Sequence, residues 1–268
     1  EGKYFVWDAK EINLELGSRL GRIATSYWGV SKTGNFEGVN ILWAPRTDDE
    51  VAMELNIEVD QLLRQVNEAS TKLFNRRANR VKPGLDDKII VSWNALMQKA
   101  FAEASTILAD DHYLDVAKFN AEFLLKHLMI DGRLLRMWKD SEAGGNARLN
   151  GYLEDYAMLA DGLLSLYEAT FEEGWLVESQ KLARAMITLF WDESDGVFYD
   201  TGSDHEKLLV RPRDIFDNAQ PSGSSTATMF LFKIAALTGE TEFRRIASLS
   251  MLSVANILEQ APSGLANW

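Results

Sequence analysis

Apolar residues crowd three long blocks of the chain, each far too long for a strand and with little polar alternation. They cover 89–109 (IIVSWNALMQKAFAEASTILA), 150–170 (NGYLEDYAMLADGLLSLYEAT) and 222–238 (SGSSTATMFLFKIAALT). The first carries only Lys99 and Glu103 as charges, the third only Lys233. A helix that is apolar on nearly every face belongs inside the protein, so these blocks predict three inner helices.

Each block precedes an amphipathic one. In 112–128, Asp115, Lys118, Glu122 and Lys126 recur at helical spacing and form one wet stripe; in 175–190, Glu178, Lys181 and Arg184 do the same. Segment 241–259 keeps Arg244, Arg245, Ser248 and Asn256 among apolar neighbours. The order is inner helix then outer helix, three times. Glycine-centred turns follow at Gly132, Gly196 and Gly264, spaced 64 and 68 residues apart. That period is one helical hairpin plus a connection, and such units stack to share a core. "LLRMW" and "VFYDT" after the first two turns predict short β-hairpins in the loops.

The first eighty residues are less regular. Asp8-Ala9-Lys10-Glu11 and Thr47-Asp48-Asp49-Glu50 read as capping boxes. "SYWGVSKTGNFEGVNILW" predicts a β-hairpin around Gly34-Asn35. A charged helix over 59–78 ends in Arg76, Arg77 and Arg80, read as a solvated helix end, and Pro83-Gly84 breaks the chain before the first inner helix. Together these features predict an all-α protein, an (α/α) toroid of helical hairpins, as one domain over 1–268. Three hairpins make about half of a six-hairpin ring. With no initiator Met, the chain reads as a fragment of something longer. An incomplete ring should expose an apolar flank, with Phe230, Phe232, Ile246 and Leu249 driving self-association of the end hairpins.

Composition narrows the function. The chain's 268 residues hold 28 basic and 40 acidic side chains, a net charge of −12, and no cysteine. The charge argues against nucleic acid and anionic membrane as partners, and the missing thiols exclude disulfides and thiolate chemistry. No run of membrane-spanning length occurs, and the expected compartment is cytoplasmic. No HExxH, P-loop, GxGxxG or GxSxG pattern occurs, so no metal or cofactor is expected. His112, His127 and His205 read as structural or exposed.

The segments entering the inner helices carry the unusual residues. Asp86 and Asp87 precede Trp93 and Asn94; Tyr152, Glu154, Asp155 and Tyr156 open the second block; Arg211, Arg213, Asp217 and Ser222 lead into the third. If the inner helices are parallel, these segments converge on one rim. Carboxylates, arginines, amides and flat rings around a cup suit a polyhydroxylated ligand, since rings stack on sugar faces and polar groups pair with hydroxyls. Asp155 or Glu154 is then the candidate acid/base group and Asp86 or Asp87 its partner. Arg211 and Arg213 orient the ligand, and Trp93, Asn94, Trp138, Tyr152, Tyr156, Tyr199, Asp217 and Ser222 contact it. The bland alternatives are Asp86 or Asp87 as a helix N-cap, Asp155 in a structural ion pair, Ser222 as a cap and the rings as core.

"EGKYFVWD", "GNFEGVNIL", "PGLDDKIIVSWNALM", "GRLLRMWKD", "YLEDYAMLADGLLSLYEATF", "FWDESDGVFYDT" and "LLVRPRDIFDNAQPSGSS" resemble, in order, the helical region of the spermatogenesis-associated thioredoxin-like protein family. The resemblance implies a toroid similar to N-acylglucosamine 2-epimerases and six-hairpin glycosidases, accompanied in full-length relatives by a thioredoxin-like domain. It implies a saccharide ligand and, for an enzyme, epimerase-like or glycosidase-like chemistry. The alternative is a non-catalytic scaffold that docks the thioredoxin-like domain or another protein. Trp93-Asn94-Ala95-Leu96-Met97 stands where the family carries WNGLM, and Pro221-Ser222-Gly223-Ser224-Ser225 where it carries PSGNS. No histidine falls in the "LEDY", "DDK" or "RPRD" segments, which argues against a histidine acid/base pair of the epimerase kind.

Overall fold

The computed structural model describes residues 2–140 and 144–268. Contacts divide the chain into two compact units, Glu1–Asp86 and Asp87–Trp268.

In the first unit, α1 (Ala9–Tyr27) packs on α3 (Val59–Ala78), with α2 (Asp48–Leu55) beside both. Trp7, Ile12, Leu16, Leu20, Ala69 and Leu73 form one core; Ile23, Val51, Leu55 and Leu62 form a second. The chain breaks helical geometry within α1 at Gly17, where φ is 69°. Thr47 and Glu50 make the expected reciprocal box at the start of α2. Asp8 caps α1 alone, because Glu11 is drawn to Arg80 at 2.7 Å. That pairing also changes the reading of the arginines. Arg80 donates to Tyr4 O and Val6 O and lies over the Trp7 ring, so it pins the N-terminal segment instead of fraying into solvent.

The β-hairpin expected around Gly34-Asn35 does not form. The described residues there make only two isolated bridges, Trp7 with Asn40 and Phe36 with Val39. Side-chain amides replace the ladder: Asn35 bonds Gly29 O, Ile41 O and Ile41 N, while buried Asn40 bonds Ser31 N, Ser31 O and Trp7 O. Asn side chains compete with regular pairing in this way.

The second unit is the repeat. Its hairpins are α4 (Val91–Leu108) with α5 (Asp111–Leu128), α6 (Leu153–Thr170) with α7 (Glu173–Phe190), and α8 (Gly223–Thr238) with α9 (Thr241–Leu252). The inner helices α4, α6 and α8 pack side by side, each backed by its outer partner. The outer segment expected to run to 259 stops at Leu252, and α10 (Ala255–Gln260) follows. Short strands fill the loops: β1 (Ile89–Ile90), β2 (Met129–Ile130) and β4 (Asn146–Asn150) all pair antiparallel with β3 (Arg133–Lys139), while β5 (Trp191–Asp192) pairs with β6 (Val197–Phe198). The sheet matters for the site because β1 runs straight into α4, and only two residues separate β4 from α6.

The inner helices are not equally enclosed. Leu153 and Asp155–Leu166 of α6 are all buried, whereas α4 exposes Trp93, Met97 and Ile107. The "apolar means buried all round" expectation therefore fails for α4, which has an inner neighbour on one side only within its unit. The four residues expected to drive self-association do not form an exposed flank: Phe230 and Ile246 are wholly buried, and Phe232 and Leu249 are half-buried. Two glycines permit the close approach of the inner helices. A Cβ at Gly162 would lie 3.1 Å from Ala95 O of α4, and one at Gly223 would lie 3.0 Å from Glu154 N. Lower down, the few charges of the inner helices meet: buried Asp161 of α6 takes Lys99 of α4 at 2.7 Å and Lys233 of α8 at 2.9 Å.

Candidate functional site

The starts of α6 and α8 and the loops before them enclose a cleft of about 990 Å³, lined by Trp93, Leu96, Arg136, Tyr152, Glu154, Asp200, Asp214, Phe216, Asn218, Ala219, Gln220, Pro221, Ser222 and Gly223. Every one of these residues belongs to the second unit. Secondary structure explains the convergence. Asp200 lies just beyond β6, and its carbonyl accepts from Leu153 N at 2.9 Å, which fastens this loop to the first turn of α6. Asp200 N donates to Pro212 O, and Asp214 N donates to Asp200 Oδ2 at 2.8 Å, bringing the next loop alongside.

The adjacent carboxylates at the start of α6 have opposite surroundings. Glu154 is on the cleft, accepting from Arg136 at 2.8 Å on one oxygen and from Gln220 Nε2 at 2.8 Å on the other. Asp155, a candidate acid/base group from sequence, is wholly buried and is not among the residues lining the cleft. It accepts from Tyr152 N at 2.9 Å, Ser92 N at 3.1 Å and Arg136 at 3.1 Å, so one carboxylate caps α6 and α4 together. Burial is the main cause that pushes its carboxyl up to about 6, against the pull of Arg136 and the backbone donors. This corrects the expectation that Asp86 or Asp87 caps α4. The N-cap position is Ile90, which has no cap of its own.

Asp200 is the carboxyl that sequence reasoning missed. Half-burial, with the neighbouring charges of Asp214 and Glu154, pushes it up to about 6 despite the Asp214 N–H and the charge of Arg213. The visible signal was slight: an Asp following a short aromatic strand in "VFYDT". Arg136 sat in "GRLLRMWKD" and Gln220 in "DNAQPSGSS", both segments noted without those residues being singled out.

Of the ligand contacts expected from sequence, Trp93, Tyr152 and Ser222 are on the cleft wall. Tyr152 lies under the Arg136 guanidinium at 4.8 Å and against the His205 ring at 5.1 Å. Ser222 caps α8 by accepting from Ser225 N. The others have work elsewhere. Asn94 bonds Ile90 O; Trp138 packs edge-on against Phe123; Tyr156 is buried with its hydroxyl accepting from Leu134 N and Arg133. Tyr199 donates to Asp195, and Arg211 lies over the Tyr199 ring while clamping Thr201 O and Leu189 O. Arg213 donates to Ser253 Oγ at 2.6 Å, and Asp217 accepts from Ser222 N, Ser225 Oγ and Asn267 N. Asp87 pairs with Lys139 at 2.9 Å, which holds its carboxyl below the usual range, and Asp86 is exposed outside the cleft. His205 is half-buried, not exposed as expected, and accepts from Gly202 N at Nδ1.

Among the described residues no group of His, Cys, Asp and Glu could hold a metal ion, and no helix is long and apolar enough to cross a membrane.

No family model matches the chain. Spermatogenesis-associated protein 20 of Homo sapiens is 29% identical over 269 residues, spanning 91% of this chain and 34% of the human protein. The Mus musculus protein is 30% identical over 272 residues with the same two coverages. The chain therefore spans about a third of the length of these relatives. Among solved structures, unsaturated glucuronyl hydrolase from Bacillus sp. GL1 is similar over 73% of this chain and 56% of its own, at TM-score 0.51 and 18% identity. Cellobiose 2-epimerase from Spirochaeta thermophila covers 64% and 44%, at 0.52 and 15%. A family 105 glycoside hydrolase of C. acetobutylicum covers 78% and 61%, at 0.52 and 12%. At these identities the likeness is one of fold. By sequence the chain is similar to Spermatogenesis-associated protein 20 over 91% of its length, and by fold it is an (α/α) toroid of helical hairpins like those of the glycosidases and epimerase named above.

Proposed function

We propose that the cleft binds a saccharide and that Glu154 and Asp200 act on it as a carboxylate pair. The observation that carries this is the shared wall: Glu154, Asp200 and Asp214 line one cleft with Trp93, Tyr152 and Phe216. Rings supply flat stacking surfaces for sugar faces and the polar groups take hydroxyls. Asp200, pushed up to about 6, takes up a proton at a higher pH than an ordinary carboxyl and, in that form, serves as the general acid toward a glycosidic or ring oxygen. Glu154, fixed on both oxygens by Arg136 and Gln220, is the complementary base or nucleophile. The hydrolase named above degrades glycosaminoglycan, and the epimerase is one of cellobiose; those names support the choice of ligand class.

The test is a saccharide panel titrated calorimetrically and followed for new reducing ends or epimers. Binding should be present, and Asp200→Asn and Glu154→Gln should each cut turnover by roughly a hundredfold or more. A panel with no binding, or two variants as active as the parent, overturns the proposal.

One observation favours the rival scaffold reading. Asp87, Asp155, Arg211 and Arg213, four residues expected on the rim, are all engaged within the protein. On that reading the toroid docks a thioredoxin-like domain such as full-length relatives are expected to carry. Co-elution of the separate domains, unaffected by Glu154→Gln, would be its signature.

A further inference from the structure

The cleft's charge and its hydrogen-bonding groups bear on which saccharides it accepts. Three carboxylates line it, Glu154, Asp200 and Asp214, against one cation, Arg136. That cation is already committed, because its Nη1 serves both Glu154 and the buried Asp155. Arg213 acts on Asp200 through its charge but does not line the cleft, and its Nη2 donates to Ser253 Oγ. Asp200 uses Oδ2 for Asp214 N, and Asp214 uses Oδ1 for Phe216 N. Among the described residues, nothing donates to the second oxygen of either. Two carboxylate oxygens on the wall are thus open to donors from outside the protein.

Hydroxyl and ammonium groups are donors; a carboxylate, sulfate or phosphate brings none and meets like charge at short range, where juxtaposition is costly. The chain's net charge of −12 adds a field of the same sign.

We infer that the cleft takes neutral or amine-bearing saccharides and rejects those carrying carboxylate, sulfate or phosphate groups. The inference rests on the saccharide reading above and specifies its substrate class. Rejection by unpaired like charge is a direct route to specificity, since it works without any added contact to the preferred ligand. It should weaken below about pH 6, as Asp200 takes up its proton.

Three β-1,4-linked glucose tetramers that differ in one group make the test: the cello-oligosaccharide, its 2-amino counterpart, and its C6-carboxylate. Each is titrated into the whole chain near neutral pH, at about 0.02 M and about 0.5 M salt, alongside the wider panel. The neutral or amino tetramer should bind, with the carboxylate roughly tenfold weaker or more at low salt. The gap should narrow at high salt. It should also narrow in Asp214→Asn, a variant that keeps Oδ1 to accept Phe216 N while removing a charge. A carboxylate tetramer that binds as well as the neutral one overturns this inference and leaves the saccharide reading standing. So does a gap that ignores salt, a readout of the parent protein alone and independent of how the variant folds. Failure of all three tetramers and of the wider panel sinks the saccharide reading and this inference with it.

Discussion

The first turn of α6 and its middle both present carboxylates to cations from neighbouring elements, yet the two places close their accounts differently. In the middle, Asp161 meets Lys99 and Lys233 while Glu103 also pairs with Lys99, two carboxylates for two cations. At the start, Arg136 serves Glu154 and Asp155 together while Asp200 and Asp214 each keep an oxygen with no donor among the described residues. Only the second arrangement opens on the cleft. A matched charge cluster fastens helices; a carboxyl pushed to about 6 by burial, with neighbouring carboxylates adding to it, is a cost the fold has no need to bear. The two places differ in surplus of charge, not in its mere presence, and the surplus lies on the cleft proposed as the binding site.

The contrast is broken most severely at the matched site. Asp161→Ala leaves two lysines facing each other across three helices and should destabilise the chain by about 3 kcal/mol, read as a shift of the urea midpoint. A loss under about 1 kcal/mol would remove the fastening role.

Gly223→Ala comes next. The added methyl would meet Glu154 N at 3.0 Å and force the start of α8 away from α6, at a cost of about 1–2 kcal/mol. Because Ser222 and Gly223 line the cleft, saccharide affinity should fall by more than the stability change would suggest. Affinity unchanged beside a lowered midpoint would separate the helix contact from the site.

The smallest stability effects belong to the surplus carboxylates. Glu154→Gln should shift stability by less than about 1 kcal/mol, while cutting turnover by roughly a hundredfold or more. Asp200→Asn should act through pH. The folded-state value of Asp200, about 6, lies above its ordinary value of 3.8, so the native state binds the proton more tightly. Its stabilising contribution is full below the ordinary value and is lost as pH rises through about 6. Relative to the parent, Asp200→Asn should therefore gain stability across that window. Denaturation midpoints of the pair across pH decide it; parallel curves would mean that Asp200 is not held up by its surroundings.

Much of the repeat was legible in the sequence because it rests on local pattern. Apolar blocks with few charges gave α6 and α8, striped blocks gave α5 and α7, and glycine turns gave the loop strands. α4 shows the limit, since its exposed Trp93 and Met97 depend on which neighbours a helix has and not on its own periodicity. The same limit applied to the site. That Glu154 and Asp155 part company follows from Ser92 N and the Arg136 side chain arriving from other elements. Asp200 becomes unusual only through burial and two carboxylates distant in sequence. In the first unit, Asn35 and Asn40 overrode a strand alternation that looked convincing by itself.

The most direct measurement is a crystal structure of the chain soaked with a saccharide that the panel shows to bind. The account predicts density in the cleft against Trp93 or Tyr152, with a glycosidic or ring oxygen within hydrogen-bond reach of Asp200 and Glu154. Density elsewhere on the protein, with the carboxylates of the cleft untouched, would contradict it.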